Sequence, residues 1–278
     1  RDGKQSDSKR VLAIRYLALS EMLTRERATA LTTELNAQNS PKIQTAIVEA
    51  LGQSRDSQIP SLLLARWAVL TPSIREQIVD TLLRRSGWTS HLLDAIGVGE
   101  LANNQLDAAQ RERLVTHRDA QIRERAVKLF DVEAVSDRQA VVADFNPALS
   151  LSGDDTRGRV VFEKRCSSCH RLRGLGKSIG ADLTALKDRT GKALLTAILD
   201  PNRAVETKFL SYTAVTTAGK SVSGMLLSET GNSVTLVSVD GKEHVLLRKE
   251  LDQLISSQRS LMPEGLEKDL SQQDIADV

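Results

Sequence analysis

Arg165-Cys166-Ser167-Ser168-Cys169-His170 contains both cysteines of this 278-residue chain and one of its four histidines. Cys-x-x-Cys-His is the attachment sequence of a c-type haem. Two thiols at this spacing each add across a vinyl group on one edge of the porphyrin, and the imidazole that follows reaches the iron from the proximal face. Three other readings compete. A thioredoxin-like redox pair needs a preceding strand in a βαβ unit, whereas Val160 to Arg165 reads as the last turns of a short helix. A structural zinc site needs a second ligand pair at ligand spacing, but the chain has no other cysteine, and His91, His117 and His244 are scattered. A plain disulfide between Cys166 and Cys169 leaves His170 without a role. Covalent attachment of one haem c uses all three residues.

The composition agrees with a soluble protein of about two domains. Hydrophobic residues make up 40% and charged residues 27% of the chain, which sets it apart from disordered and membrane classes. The net charge of +2 implies no polyanionic partner such as a nucleic acid. No apolar run approaches the roughly 18 residues of a membrane span, and no signal-peptide pattern is visible. The chain starts at Arg1 without an initiator methionine, so it is expected to be a processed or excised piece of something longer. Haem attachment to paired thiols normally takes place outside the cytoplasm, which predicts a periplasmic or otherwise extracytoplasmic location. Aromatic residues are only 3% of the chain, so aliphatic side chains must wall a haem pocket. Leu172, Ile179, Leu183 and Leu186 are the expected walls.

Upstream of the motif the pattern is helical. From Lys9, the residues Val11, Ile14, Leu17, Ala18 and Met22 form one apolar stripe, and Ala28, Leu31 and Leu35 form the next. A phrase then recurs. Pro41-Lys42-Ile43-Gln44-Thr45-Ala46-Ile47-Val48 aligns with Pro72-Ser73-Ile74-Arg75-Glu76-Gln77-Ile78-Val79 and with Ala120-Gln121-Ile122-Arg123-Glu124-Arg125-Ala126-Val127, and a weaker copy begins at Val11. Each clear copy follows a helix-start residue, Ser40, Thr71 or Asp119. Further helices are expected near Ile59 to Val69 and Trp88 to Ile96, while Gly97 to Gln105 breaks the period as an inserted loop. Helix pairs recurring in this way predict an α-solenoid, because one pair cannot bury its own apolar face. The phrase resembles the second helix of HEAT repeats over about residues 9 to 132; an irregular helical bundle is the competing arrangement.

Residues 144 to 153, with proline, glycine and serine and no helical stripe, read as a linker. Thr156 begins a helix capped by Asp154 or Asp155 that runs into the haem motif, and Gly158 on it suits either a close helix approach or an open surface. The glycine-rich loop Arg171 to Leu183 lacks the strand and spacing of a phosphate loop, so it is expected to wrap the haem edge. After a helix from Gly191 to Leu199, which stops at Asp200-Pro201, the period becomes alternating. Phe209 to Thr217, Ser221 to Ser228, Ser233 to Val239 and Glu243 to Leu247 are four strand-like runs separated by glycine turns. They predict a small antiparallel meander or barrel, inserted at about residues 208 to 250.

The occupant of the sixth iron position decides what a haem bound through His170 does. Met22 lies on a core stripe and Met225 in a strand-like run, where packing explains it. Met262 precedes Pro263 in a loop, and an X-Pro pair keeps the backbone extended, which suits presentation of a sulfur. Met262 is therefore the expected second axial ligand, with His244 as the alternative.

Taken together, Gly158-Arg159-Val160-Val161-Phe162, Cys166 to His170, Ile179-Gly180-Ala181-Asp182-Leu183, Asp200-Pro201-Asn202 and Ser260-Leu261-Met262-Pro263 resemble the haem-binding domain of large extracytoplasmic planctomycete and verrucomicrobial proteins. That domain is a class I cytochrome c with a β segment inserted between haem motif and methionine, and the resemblance covers about residues 154 to 278. It implies His170 and Met262 as axial ligands and Cys166 and Cys169 as thioether anchors. It also implies that the carbonyl of Ala181, where the family usually has proline, accepts a hydrogen bond from the axial histidine, and that the closing helix runs on past Val278. In such proteins helical repeats and a dehydrogenase-like propeller commonly lie upstream.

The expected fold is thus multi-domain and mainly α, with a HEAT-like α-solenoid at 1–143, a linker at 144–153 and a cytochrome c domain at 154–278. The expected function is electron transfer by a module that is not itself an enzyme. Its partner would be a redox protein or a fused dehydrogenase domain, with the repeat surface open to a further protein. Two alternatives remain: a haem enzyme or gas sensor with an open distal side, and an interaction scaffold whose haem is structural.

Overall fold

The computed structural model describes residues 6–19, 23–131, 138–203 and 205–278. Met22 therefore lies outside the described residues.

Among the described residues of the first half there are eight helices: α1 (Asp7–Leu19), α2 (Arg25–Thr33), α3 (Pro41–Gln53), α4 (Ile59–Leu64), α5 (Pro72–Leu82), α6 (Ser86–Gly97), α7 (Ala108–Val115) and α8 (Ala120–Asp131). Two of the recurring phrases start where the sequence places them, with Pro41 and Pro72 in the first turn, where a missing N–H breaks no helical hydrogen bond. Every second helix packs on its like. Helix α1 lies on α3 and α3 on α5, while α2 lies on α4, α4 on α6 and α6 on α8. Polar links repeat at the same step: Arg25 to Asp56, Arg66 to the Leu35 carbonyl, Arg85 to the Ser54 carbonyl and Arg125 to Asp94 each span 31 positions. The apolar faces close over one core that includes Ile43, Ile47, Leu51, Ile74, Ile78, Leu82, Leu92 and Leu93.

Two details differ from expectation. The third phrase copy forms α8, which packs against α6 rather than extending the row of α3 and α5. That row is continued by α7, a helix the apolar pattern does not announce, through Gln110 and Arg113 reaching Asp80 on α5.

The stretch 144–153 is not a bare linker. Helix α9 (Gln139–Asp144) and a 3-10 turn at Asn146–Ser150 bring Phe145 and the buried Ala148 against Leu195, Leu199, Leu270 and Ile275. These last residues come from α11 (Gly191–Leu199), from the turn before α12 and from α12 (Gln272–Asp277). Helix α10 (Asp155–Arg165) crosses α12 at Gly158. A β-carbon added there would lie 1.8 Å from the Asp277 carbonyl oxygen, so the close-approach alternative holds and only glycine allows the crossing. Asp277 fastens the same crossing, accepting from Arg157 Nε and Nη2 at 2.6 and 2.8 Å and from the Asp154 backbone N–H at 2.9 Å.

The short strands β1 (Arg171–Leu172) and β2 (Leu175–Gly176) make a tight hairpin directly after the haem motif. The larger sheet has five strands, not four: β3 (Leu210–Thr216), β4 (Ser221–Glu229), β5 (Ser233–Val237), β6 (Glu243–Leu247) and β7 (Leu251–Ser260), in the order β6-β5-β4-β3-β7 and antiparallel throughout. It therefore continues to Ser260, beyond the expected end near residue 250. Strand β7 escapes the alternation test because it buries Leu251, Leu254 and Ser256 at uneven spacing, with register shifts against β3.

Although it follows the Cys166–His170 motif in sequence, the sheet packs against the helical half. Ala37 joins Leu210, Tyr212, Val234, Leu236 and Leu246 in one buried cluster. Arg248, 2% exposed, donates to the carbonyls of Ala37 and Asn39 at 2.7 and 3.2 Å and pairs with Glu229 at 2.9 Å. Arg75 of α5 stacks between the rings of Trp67 and Tyr212, 5.3 and 5.7 Å from their centres. The guanidinium face tolerates burial there because the two rings supply electron-rich surfaces.

Candidate haem site

The site is built at the C-terminal end of α10. Asp154 caps the start of this helix through Thr156 N and Arg157 N at 3.0 and 2.9 Å, and Asp155 is its first residue, an acidic side chain in the first turn. The helix ends at Cys166, whose N–H bonds back to the Phe162 carbonyl. A turn then brings Cys169 N and His170 N to the Cys166 carbonyl at 3.1 and 2.9 Å. This fixes Cys166, Cys169 and His170 on one short arc.

The loop that follows folds back over the arc. Lys177 N donates to the Ser167 carbonyl, and Ile179 N and Gly180 N both donate to the Cys169 carbonyl at 3.0 and 2.8 Å. Folding back places Ala181 opposite the histidine ring, and the Ala181 carbonyl oxygen lies 2.8 Å from His170 Nδ1. A carbonyl only accepts, so Nδ1 carries a proton, and in the neutral ring the lone pair is then on Nε2. Among the described residues, Nε2 has no hydrogen-bond partner. Gly180 makes this geometry sterically possible, since a β-carbon there would come within 2.7 Å of His170 Cε1.

Leu172, Ile179, Ala181, Leu183 and Leu186 are all half-buried. None of the four larger ones belongs to a buried core cluster. Apolar side chains ordinarily fill a core or scatter on the surface; here they lie in the same short stretch as the loop that holds His170. Leu172 faces Leu175 across the β1–β2 hairpin, and Arg173 N bonds to Thr184 Oγ1 at 3.2 Å, which ties this hairpin to the Leu183–Ala185 turn.

The thiols suit covalent attachment better than redox exchange. Both cysteines are free and partly exposed. Burial pushes the Cys166 thiol upward, and the neighbouring Cys169 adds to the shift. A thioredoxin-like nucleophile needs the opposite, a thiol lowered by a helix N-terminus or a cation, whereas Cys166 sits at a helix C-terminus. Among the described residues no group of three or more His, Cys, Asp or Glu side chains is arranged to hold a metal ion. Free thiols, an Nδ1-protonated histidine with Nε2 available, and an uncommitted aliphatic surface fit the haem group. Residues 156–221 match the family model described as Cytochrome c. This segment is a cytochrome c-type haem-binding domain. No curated protein matches the chain.

The matched segment ends at the start of β4, before Met225 in that strand and Met262 in the loop after β7. Met225 is buried in β4, opposite Ser211 and Val237. Met262 is half-buried in the loop after β7, where its N–H donates to Ser260 Oγ at 3.1 Å and Leu261 N donates to the Phe209 carbonyl at 3.2 Å. The ring Nε2 of His244 lies 3.2 Å from Ser238 Oγ within the β5–β6 hairpin. That hairpin also reaches the haem motif: its Gly241 turn lies against Lys177 and Ile179, and Cys169 Sγ is 3.8 Å from the Val239 carbonyl. Sequence reasoning missed this contact and one residue more, Asn202, which binds both sides of the Met262 loop. In the sequence Asn202 stands out only as the last member of Asp200-Pro201-Asn202, one piece of a family pattern.

Proposed function

We propose that the chain is an electron-transfer module carrying one covalent haem c, with Cys166 and Cys169 as thioether anchors and His170 and Met262 as axial ligands. The observation that carries this reading is the His170 ring, whose Nδ1 is committed to the Ala181 carbonyl at 2.8 Å and whose Nε2 is free to ligate. When bound, the haem supplies a one-electron ferric/ferrous couple. The chain's part is to hold the imidazole in one tautomer and orientation, to enrich its basicity through the carbonyl bond, and to cover the porphyrin with Leu172, Ile179, Leu183 and Leu186. No acid, base or nucleophile is required, because an electron passes without making or breaking a bond.

The module acts outside the cytoplasm, as part of a larger dehydrogenase-like protein or with a separate redox partner. No helix among the described residues is long and apolar enough to cross a membrane. The helical half is a HEAT-like scaffold that offers its surface to a protein partner. The alternate stacking of α1 to α8 and the polar links at 31-residue steps support this arrangement. The chain then divides between α8 and α9, with the sheet covalently part of the cytochrome half and packed on the helical one.

The test is an optical spectrum and redox titration of the haem-loaded protein. A reversible one-electron wave and a far-red sulfur-to-iron band are expected. Met262→Ala should abolish the band, lower the potential and let the ferrous form bind carbon monoxide, whereas Met225→Ala should leave all three nearly unchanged. The reverse pattern would remove Met262 from the iron.

A further inference from the structure

One side chain from outside the Met262 loop binds both of its flanks. Asn202 Oδ1 accepts from Ser260 N–H at 2.7 Å, and Asn202 Nδ2 donates to Glu264 Oε1 at 2.5 Å. Ser260 and Glu264 stand two residues before and two residues after Met262, so the two bonds bracket it. The network itself fixes the amide orientation: an N–H faces the oxygen and a carboxylate faces the NH2 group. Asn202 is in turn rigidly placed. It follows Asp200, the buried C-cap residue of α11 whose N–H bonds to the Thr196 carbonyl at 2.8 Å, and α11 is anchored by the buried Leu195 and Leu199.

We propose that Asn202 is a positioning residue that determines how tightly Met262 is presented to the haem iron. The inference rests on the His170/Met262 reading above. A methionine on a loop leaves and rejoins its position as the loop opens, and the fraction of time spent open is set by what fastens the loop. Pro263 stiffens the backbone on one side, but neither proline nor the local Ser260 Oγ bond connects the loop to the helical core of the domain. Asn202 does, and it needs an acceptor and a donor on one short side chain. Aspartate keeps the acceptor, lacks the donor and sets a second carboxylate against Glu264.

That polarity supplies the experiment. With the full haem-loaded chain, the rate of carbon monoxide binding to the ferrous form, the far-red band and the reduction potential are compared in wild type, Met262→Ala, Asn202→Asp, Glu264→Gln and the double variant Asn202→Asp/Glu264→Gln. In the double variant the carboxylate introduced at position 202 accepts from both Ser260 N–H and the amide introduced at position 264, which restores the two bonds with one reversed. Asn202→Asp should bind carbon monoxide about tenfold faster, the equivalent of one to two net hydrogen bonds, with a weaker band and a lower potential. Glu264→Gln alone should resemble wild type, and the double variant should return close to it. Equal impairment of Asn202→Asp and the double variant, or no change in Asn202→Asp while Met262→Ala opens the iron, would overturn the role of Asn202 and leave the ligand assignment standing. A wild type that binds carbon monoxide as readily as Met262→Ala would overturn both. If Asn202→Asp yields no haem-loaded protein, recovery in the double variant supports the proposal, and failure of both overturns it.

Discussion

Gly158→Ala tests whether α10 and α12 meet as closely as the geometry requires. On a free helix the change would be favourable, since alanine exceeds glycine by about 1 kcal/mol in helix propensity. Here the new β-carbon would lie 1.8 Å from the Asp277 carbonyl oxygen, 2.6 Å from its carbon and 3.2 Å from Val278 N, all backbone atoms that cannot swing aside. Reaching an ordinary contact of 3.4 Å requires the helices to part by about 1.6 Å. Overpacking of this kind costs about 1–3 kcal/mol, and parting the helices also draws Arg157 and Asp154 N away from the Asp277 carboxylate. The net effect should be a loss of about 1–2 kcal/mol, or roughly 5 °C in the unfolding midpoint of a unit this size. Gly87→Ala is the internal control, because nothing lies within 4 Å of its added β-carbon; it should be neutral or slightly stabilising. Thermal and urea unfolding followed by circular dichroism and haem absorbance would measure both. If the two variants shift upward together, the close crossing of α10 and α12 is refuted.

At Gly180 an added β-carbon would press on the His170 ring at 2.7 Å and on its Nδ1 at 3.0 Å. Gly180→Ala should therefore pull the ring from the Ala181 carbonyl, weaken ligation of the iron by His170 about tenfold or more and shift the potential, while the thioether-bound haem stays attached; an unchanged spectrum and potential would show the ring to be held otherwise. Acid should act on the α10–α12 crossing. Arg157 holds the Asp277 carboxyl down at about 2, below the ordinary aspartate value of about 3.9. The folded state thus releases this proton more readily than the unfolded one, and the stabilisation is present above the ordinary value and lost as pH falls from about 4 through about 2. Urea midpoints measured across that window should fall with pH in wild type and fall less steeply in Arg157→Gln. A parallel decline in both proteins would assign the acid sensitivity to other groups.

The helices α3 and α5 were legible because an apolar stripe and a proline at the helix start are both local properties. Helix α7 was not, since its one buried aliphatic residue among the described side chains, Leu114, is accompanied by a buried Gln110 rather than by a stripe. The phrase at Ala120 marked a helix and its buried face, but an apolar face is complementary to any other apolar face, and so it could not say that α8 would meet α6. Arg75 and Arg248 carry no mark in sequence of being 1% and 2% exposed. Their burial depends on Tyr212 for Arg75 and on Ala37 and Asn39 for Arg248, partners that long stretches of chain separate from each arginine.

The haem motif stands at the other extreme. Two thiols and an imidazole within five positions are already close whatever the remaining chain does, so Cys166 to His170 declared its chemistry from sequence alone, and the bond from His170 to Ala181 needed only an 11-residue loop to close. The relation of Asn202 to Ser260 and Glu264 spans about sixty positions with five strands between, and the contact of Val239 with Cys169 spans 70. The alternating pattern of the sheet announced that one face is buried, but not that it lies on the helical half while a hairpin touches the haem motif. Those contacts come from packing between distant surfaces, which no local periodicity encodes, and they decide how the haem-binding half is held to the rest of the chain.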